Sequence, residues 1–242
     1  MNGARLAGGG GVVIPHFHKP SACLLHNGWL CFDWVRQHWG DTLQPDLIQH
    51  IKLTLLAVGI GFVIAFALAL LGFRFRLLNP PLGLFTDFLY TIPSLALFVL
   101  LIPVTGPTVT TIEIALVSYT LFILYRNILT GLSAVPADVL ESARGMGLTR
   151  TQTFMRVELP LAAPAILAGL RVATVSTISI GTVAALLIAY GLGQPIFDAL
   201  QTPDIFRTEL VVAGGLAILL ALVADGLLAL VARALTPWSR LR

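Results

Sequence analysis

Five apolar intervals divide the chain. Between Leu53 and Phe73 no Asp, Glu, Lys or Arg occurs, and at about 1.5 Å of helical rise per residue such a run crosses a hydrocarbon core of about 30 Å. A second interval runs from Leu82 to Val104, with Asp87 near its start and Pro93 in its middle, and a third from Thr108 to Thr130. The turn-like Thr105-Gly106-Pro107 between them makes these two antiparallel neighbours. The fourth, Leu161 to Ala189, carries Arg171 in its first third and is longer than a perpendicular crossing requires, which predicts tilt or extension past the bilayer. The fifth extends from Glu209 to Val231 and contains Asp225, whereas Leu132 to Pro160 is too charged for lipid. The pattern predicts an all-α, polytopic membrane protein with five transmembrane helices.

Composition agrees with that reading and removes the alternatives. The 242 residues are 57% hydrophobic and 11% charged, with a mean hydropathy of +0.88, too few charges to cover a water-soluble surface. Disorder, a disulfide scaffold and ordinary soluble enzyme folds are excluded. The net charge of +3 comes from basic residues scattered along the chain, not from a phosphate-tracking stripe, so nucleic acid is not an expected partner and membrane lipid is. Arg74 and Arg76 follow the first span, Arg144, Arg150 and Arg156 separate the third from the fourth, and Arg233, Arg240 and Arg242 follow the fifth. The positive-inside rule puts all three regions in the cytoplasm, the N-terminus outside and the C-terminus inside.

This divides the chain into an extracytoplasmic segment 1–48, a transmembrane domain 49–235 with a cytoplasmic segment 133–160, and a cytoplasmic tail 236–242. In the first segment Trp29, Trp34 and Trp39, with Phe32, fit a short helix in the outer interface, and Gly8 to Gly11 a poorly ordered stretch. No signal peptide is expected there. Cys23 and Cys31 can bridge if that side is oxidising, but their spacing does not decide it.

The residues argue against chemistry within the chain. All five histidines, His16, His18, His26, His38 and His50, precede the first span, so no His-dependent metal site or Ser-His pair is expected in the apolar body. Lys19 and Lys52 are the only lysines and neither completes a phosphate-binding loop. No catalytic residue, metal site or cofactor of its own is predicted. The informative stretch is instead Glu141-Ser142-Ala143-Arg144-Gly145-Met146-Gly147. Pro136 and Asp138 suit a first helical turn, and a helix from there reaches Met146 before Gly147 interrupts it. Thr149 and Gln152 have the capping-box spacing that restarts a helix. Small residues at Ser142, Ala143, Gly145 and Gly147 leave one side nearly bare, a shape suited to close docking of another protein.

Glu141-Ser142-Ala143, three residues, Gly147, nine residues and Val157-Glu158-Leu159-Pro160 resemble the EAA motif, E-A-A-x3-G-x9-I-x-L-P, of binding-protein-dependent ABC importer permeases, with Ser142 and Val157 as the departures. The resemblance implies a type I (MetI-like) ABC importer transmembrane domain that is not itself an enzyme. It implies a coupling helix at Glu141, Ser142, Ala143, Gly145, Gly147, Leu159 and Pro160 that docks on a separate ATPase, whose subunits bind ATP and Mg. It implies as partners two copies of that ATPase, a second permease, identical or homologous, and an extracytoplasmic solute-binding protein. Tyr90-Thr91-Ile92-Pro93-Ser94-Leu95-Ala96-Leu97, Tyr125-Arg126-Asn127, Arg144-Gly145-Met146-Gly147 and Ala168-Gly169-Leu170-Arg171 are similar to permeases for quaternary-amine osmoprotectants such as glycine betaine, choline and carnitine. Tyr90 stands where that group has Gln, and Ile188-Ala189-Tyr190-Gly191-Leu192-Gly193 where it has a Gly-Ala-Gly-Gly-Leu-Gly run. A permease for methionine or another amino acid is the alternative, and a membrane scaffold or sensor that no ATPase engages the reading from another class.

Within the spans, Tyr90, Pro93 and Asp225 are pathway candidates. Pro93 either kinks its helix or frees carbonyls toward a cavity, and Asp225 either meets a cation or pairs with Arg126 or Arg171. Glu113 is placed near the outer mouth. Phe85, Phe88 and Tyr90 form either a cation cage or lipid and helix contacts. Gly59, Gly61, Gly169 and Gly181 are read as close-packing positions. Pro195 is placed to start a short helix in the Tyr190 to Arg207 loop, the candidate outer docking or gate element.

Overall fold

The computed structural model describes Cys23 and residues 26–237, and every regular element among them is helical. Gly8 to Gly11, His16, His18, Arg240 and Arg242 lie outside the described residues. In chain order the elements are α1 (Phe32–His38), a π turn (Trp39–Leu43), α2 (Gln44–Arg74), α3 (Asn79–Thr91), α4 (Ser94–Thr105), α5 (Val109–Ser133), α6 (Ala137–Gly145), α7 (Arg150–Thr153), a second π turn (Phe154–Glu158), α8 (Leu159–Ala184), α9 (Gly193–Gln201) and α10 (Arg207–Leu235). Both π turns stand just before a proline, Pro45 or Pro160. A proline ring clashes with the carbonyl four residues back in a regular helix, and the wider turn gives that carbonyl room.

Four continuous helices are long and apolar enough to cross a membrane: Phe32–Arg74, Val109–Ser133, Arg150–Ala184 and Arg207–Leu235. The predicted second span, Leu82 to Val104, is not one rod. It is α3 and α4, bent by 96° at Ile92 and Pro93. Proline excludes its predecessor from the helical region, and Ile92 is accordingly extended at φ −69°, ψ 125°. The predicted fourth span to Ala189 also ends early, at Ala184. The chain turns there, and Gly191, at φ +64°, lies on His50 with its N–H donating to Gln49 Oε1 at 3.1 Å. The short helix in the following loop is α9, with Pro195 buried in its first turn.

Helix α5 is central, packed against α2, α3, α4 and α8, and α8 in turn carries α10. One core cluster centres on Tyr125, Leu124 and Ile128, another on Phe98, Ile112 and Leu116. Lipid tails are as apolar as leucine, so these helices are held by close packing rather than by hydrophobic burial. Gly61 and Gly169 permit it: a β-carbon at either would overlap Thr120 or Asn127. Gly181 faces His50, whereas Gly59 packs on no other helix of this chain among the described residues. His50 corrects the expectation that all five histidines precede the first span, because the spanning helix already begins at Phe32. It is fully buried on α2, with Nε2 3.1 Å from the Ile178 carbonyl of α8.

The aromatic N-terminal helix is present as α1, but it runs through the π turn into the first span instead of forming a separate piece. Trp34 is buried, edge-on to Phe206, whereas Trp29 and Phe32 are exposed. Cys23 and Cys31 form a disulfide, which closes a loop over the start of α10. Within it the Asn27 side-chain amide donates to the carbonyls of Asp204 and Ile205, at 3.0 and 2.9 Å, and its oxygen accepts from the Arg207 N–H at 3.1 Å. Asn27 thus caps, from a distant segment, a helix whose own N-cap residue, Phe206, makes no side-chain cap bond. We predict that reducing the disulfide, or Cys31→Ser, destabilises the purified protein by about 2–3 kcal/mol, read as a lower melting temperature. Coincident melting of the oxidised and reduced wild type would show that the loop is not a stabilising clasp.

Candidate functional site

The segment 133–160 folds as a helix, a glycine turn and a second helix. Pro136 is the N-cap of α6 at φ −62°, and Asp138 sits in the first turn, where its charge opposes the helix dipole. The helix ends in a Schellman turn: Leu148 N–H donates to the Ala143 carbonyl at 3.2 Å, and Gly147 N–H to that of Arg144 at 2.9 Å. That geometry needs the left-handed φ of +80° that Gly147 adopts. The next helix opens with the reciprocal capping box, Thr149 N–H to Gln152 Oε1 at 2.9 Å and Gln152 N–H to Thr149 Oγ1 at 3.4 Å. Leu159 and Pro160 then begin α8, with Leu159 packed on the inner core cluster.

The bare surface is narrower than the residue types alone suggest. Ala143 is 1% exposed and faces its own chain, because the four-residue stride of the helix turns it beneath the segment. Glu141, Ser142, Gly145 and Gly147 face outward, and Met146 is 74% exposed. A β-carbon built at Gly145 or Gly147 meets nothing within 4 Å. Behind the turn, Arg74, Arg144, Arg150 and Glu158 line a cavity of about 940 Å³ between the segment and the end of α2. This arrangement presents backbone and small side chains to an approaching surface, with charges set back around it. It holds no set of groups suited to bond-making.

The span candidates do not form one cluster. Tyr90 stacks on Phe122 and meets Tyr119 edge-on, both on α5, while Phe85 and Phe88 are exposed. At the Pro93 break the Ile92 carbonyl, left without a helical partner, accepts from the Tyr119 hydroxyl. Asp225 instead pairs with Arg171, each nitrogen–oxygen distance 2.8 Å. Arg126 is taken by Asp87, through Nε to Oδ1 at 3.2 Å and through Nη2 to Oδ2. Both pairs are bidentate, the geometry a planar guanidinium favours. The Asp87 partnership was readable in principle, since a carboxylate and an arginine in adjacent apolar spans must find partners. The buried Glu113 carboxyl has no hydrogen-bond partner among the described residues.

Comparison with known proteins adds a match over residues 57–237 to the model of the binding-protein-dependent transport system inner membrane component. The chain is 34% identical to the choline transport system permease protein OpuBB of Bacillus subtilis, over 82% of this chain and 90% of that one. It is 39% identical to the osmoprotectant import permease protein OsmW of Salmonella typhimurium, over 78% and 89% respectively. Among solved structures, an inward-facing form of the MetNI methionine ABC transporter superposes with a TM-score of 0.71 at 20% identity, covering 83% of this chain and 98% of that one.

Proposed function

Because the chain belongs to the family of binding-protein-dependent transport inner-membrane components, we propose that it forms the translocation pathway of an ABC importer for a quaternary-amine osmoprotectant such as glycine betaine, choline or carnitine. The family is a transport component of the inner membrane, not an enzyme, and it works with an ATPase and a solute-binding protein. The observation that carries the coupling is the exposed glycine turn after α6, where two positions present bare backbone with open space above them. Glu141, Ser142, Gly145 and Gly147 make the docking face, Ala143 seats it, and Leu159 with Pro160 joins it to α8. Tyr90, Pro93 and Asp225 belong to the pathway walls.

The cargo class rests on relatives named for choline and osmoprotectant import that align along most of this chain. The methionine transporter supports the fold alone. In the proposed cycle ATP closes a dimer of the partner subunit, two permeases, identical or homologous, move with it through their coupling helices, and the outer side opens to a loaded binding protein. ATP and Mg belong to that partner. The N-terminus lies outside and the C-terminus in the cytoplasm, a reading supported by the arginine distribution and by the disulfide, which suits an oxidising compartment. The test is uptake into proteoliposomes holding permease, ATPase and binding protein. ATP-dependent accumulation of glycine betaine, choline or carnitine is expected. Accumulation of methionine alone would overturn the cargo, and uptake indifferent to ATP would overturn the class.

A further inference from the structure

Arg171 stands in the first third of the fourth apolar interval and Asp225 short of the end of the fifth, so both lie within membrane-spanning stretches. There the Arg171 and Asp225 side chains pair at 2.8 Å while keeping 38% and 36% of their surface exposed. A half-open ion pair in such a stretch is costly against lipid, and such groups face water or protein. Beside the pair a cavity of about 500 Å³ opens between α8 and α10. It runs from Asp225 past Ser179 and Thr182 to Ile196 of α9, the candidate outer gate element. Its wall is largely aliphatic, with Val175 and Leu222 among the lining residues. The Ser179 and Thr182 hydroxyls donate to carbonyls of their own helix, at 3.1 and 2.7 Å, and so offer only acceptor lone pairs inward.

A quaternary ammonium ion has no N–H to donate. Its methyl groups need apolar contact, its charge needs a nearby carboxylate, and acceptor oxygens do not repel it. The cavity supplies each of these, and its volume falls in the range of small-molecule sites, about 300–1,000 Å³. We propose that this cavity is a station for a small quaternary ammonium compound on the transport path. The Asp225 carboxylate, which lines the cavity, meets the cation through the lone pairs that its bidentate bond to Arg171 leaves free, and Arg171 holds that carboxylate in place from behind. The proposal rests on the quaternary-amine reading above and adds the location of a binding site.

The two cysteines of the chain are bridged to each other, so a single introduced cysteine is the one free thiol of this chain, and labelling is read on its isolated band. Ser179→Cys and Thr182→Cys are made separately in the full importer in proteoliposomes and treated with methanethiosulfonates bearing a trimethylammonium or a sulfonate group. Both positions are expected to react with the trimethylammonium reagent faster by about threefold, because the carboxylate end of the ion pair, and not its guanidinium, lines the cavity. Glycine betaine or choline should slow that reaction. In an Asp225→Asn background, which leaves the Arg171 charge unpaired, the preference should reverse towards the sulfonate reagent, a readout that needs no transport. Unreactive thiols at both positions would mean that a second permease or lipid fills the cavity and would overturn the proposal, as would reaction without charge preference or cargo protection. Uptake of quaternary amines in the same vesicles separates the two ideas: intact uptake with a silent cavity removes the station and leaves the function standing.

Discussion

Gly145→Leu should abolish ATP-driven uptake while leaving the permease itself as stable as before. Nothing within 4 Å of this position opposes a side chain, and helix propensity changes by at most about 1 kcal/mol, in the stabilising direction. Any loss must therefore arise at a surface that another protein contacts. Blocking a docked position by even about 1.4 kcal/mol weakens binding tenfold, and uptake should fall at least that far, with the ATPase failing to co-purify. Normal assembly and uptake would remove the coupling role from α6. Gly147 provides the contrast: at φ +80° any other L-residue strains the turn, so Gly147→Val lowers stability by about 1–2 kcal/mol as well as coupling. Two glycines two residues apart thus separate a docking defect from a folding defect.

The second large effect is expected at the ion pair between α8 and α10. Asp225→Ala leaves Arg171 without its bidentate partner within a membrane-spanning stretch, where an unpaired charge is expensive. Membrane yield and uptake should both drop, uptake by about tenfold or more. Exchanging the two residues, Arg171→Asp with Asp225→Arg, restores an ion pair and should recover yield and melting temperature. It also moves the carboxylate from α10 to α8, so the KM for a quaternary amine should stay raised while kcat recovers. Full recovery of KM would show that the pair only fastens two helices. Wild-type transport by either single neutralisation would show that it matters to neither folding nor cargo.

These effects divide according to how far along the chain their causes lie. The local fold of the segment 133–160 was readable nearly residue by residue, because the Schellman turn at Gly147 and the capping box at Thr149 and Gln152 are local devices spanning at most six residues. The spans were readable because a charge-free run of sufficient length has one economical conformation in lipid. Ala143 was misjudged because being small says nothing about which way a helix face turns. In span two Pro93 announces the break but not its angle, which the packing of α3 and α4 on α5 sets at 96°.

The sequence by itself determined that the chain is helical, that it lies in a membrane and where its arginines gather, since each depends on residues within a turn or a span of one another. Only the tertiary structure decided which carboxylate meets which arginine. Asp87 found Arg126 and Asp225 found Arg171 across 39 and 54 residues, and Asn27 capped a helix 180 residues away. His50 came to rest against Ile178 in the same way. Side-chain chemistry states that such groups need partners. The choice among partners belongs to helix packing, because close contact at Gly61, Gly169 and Gly181 fixes which faces of distant helices meet.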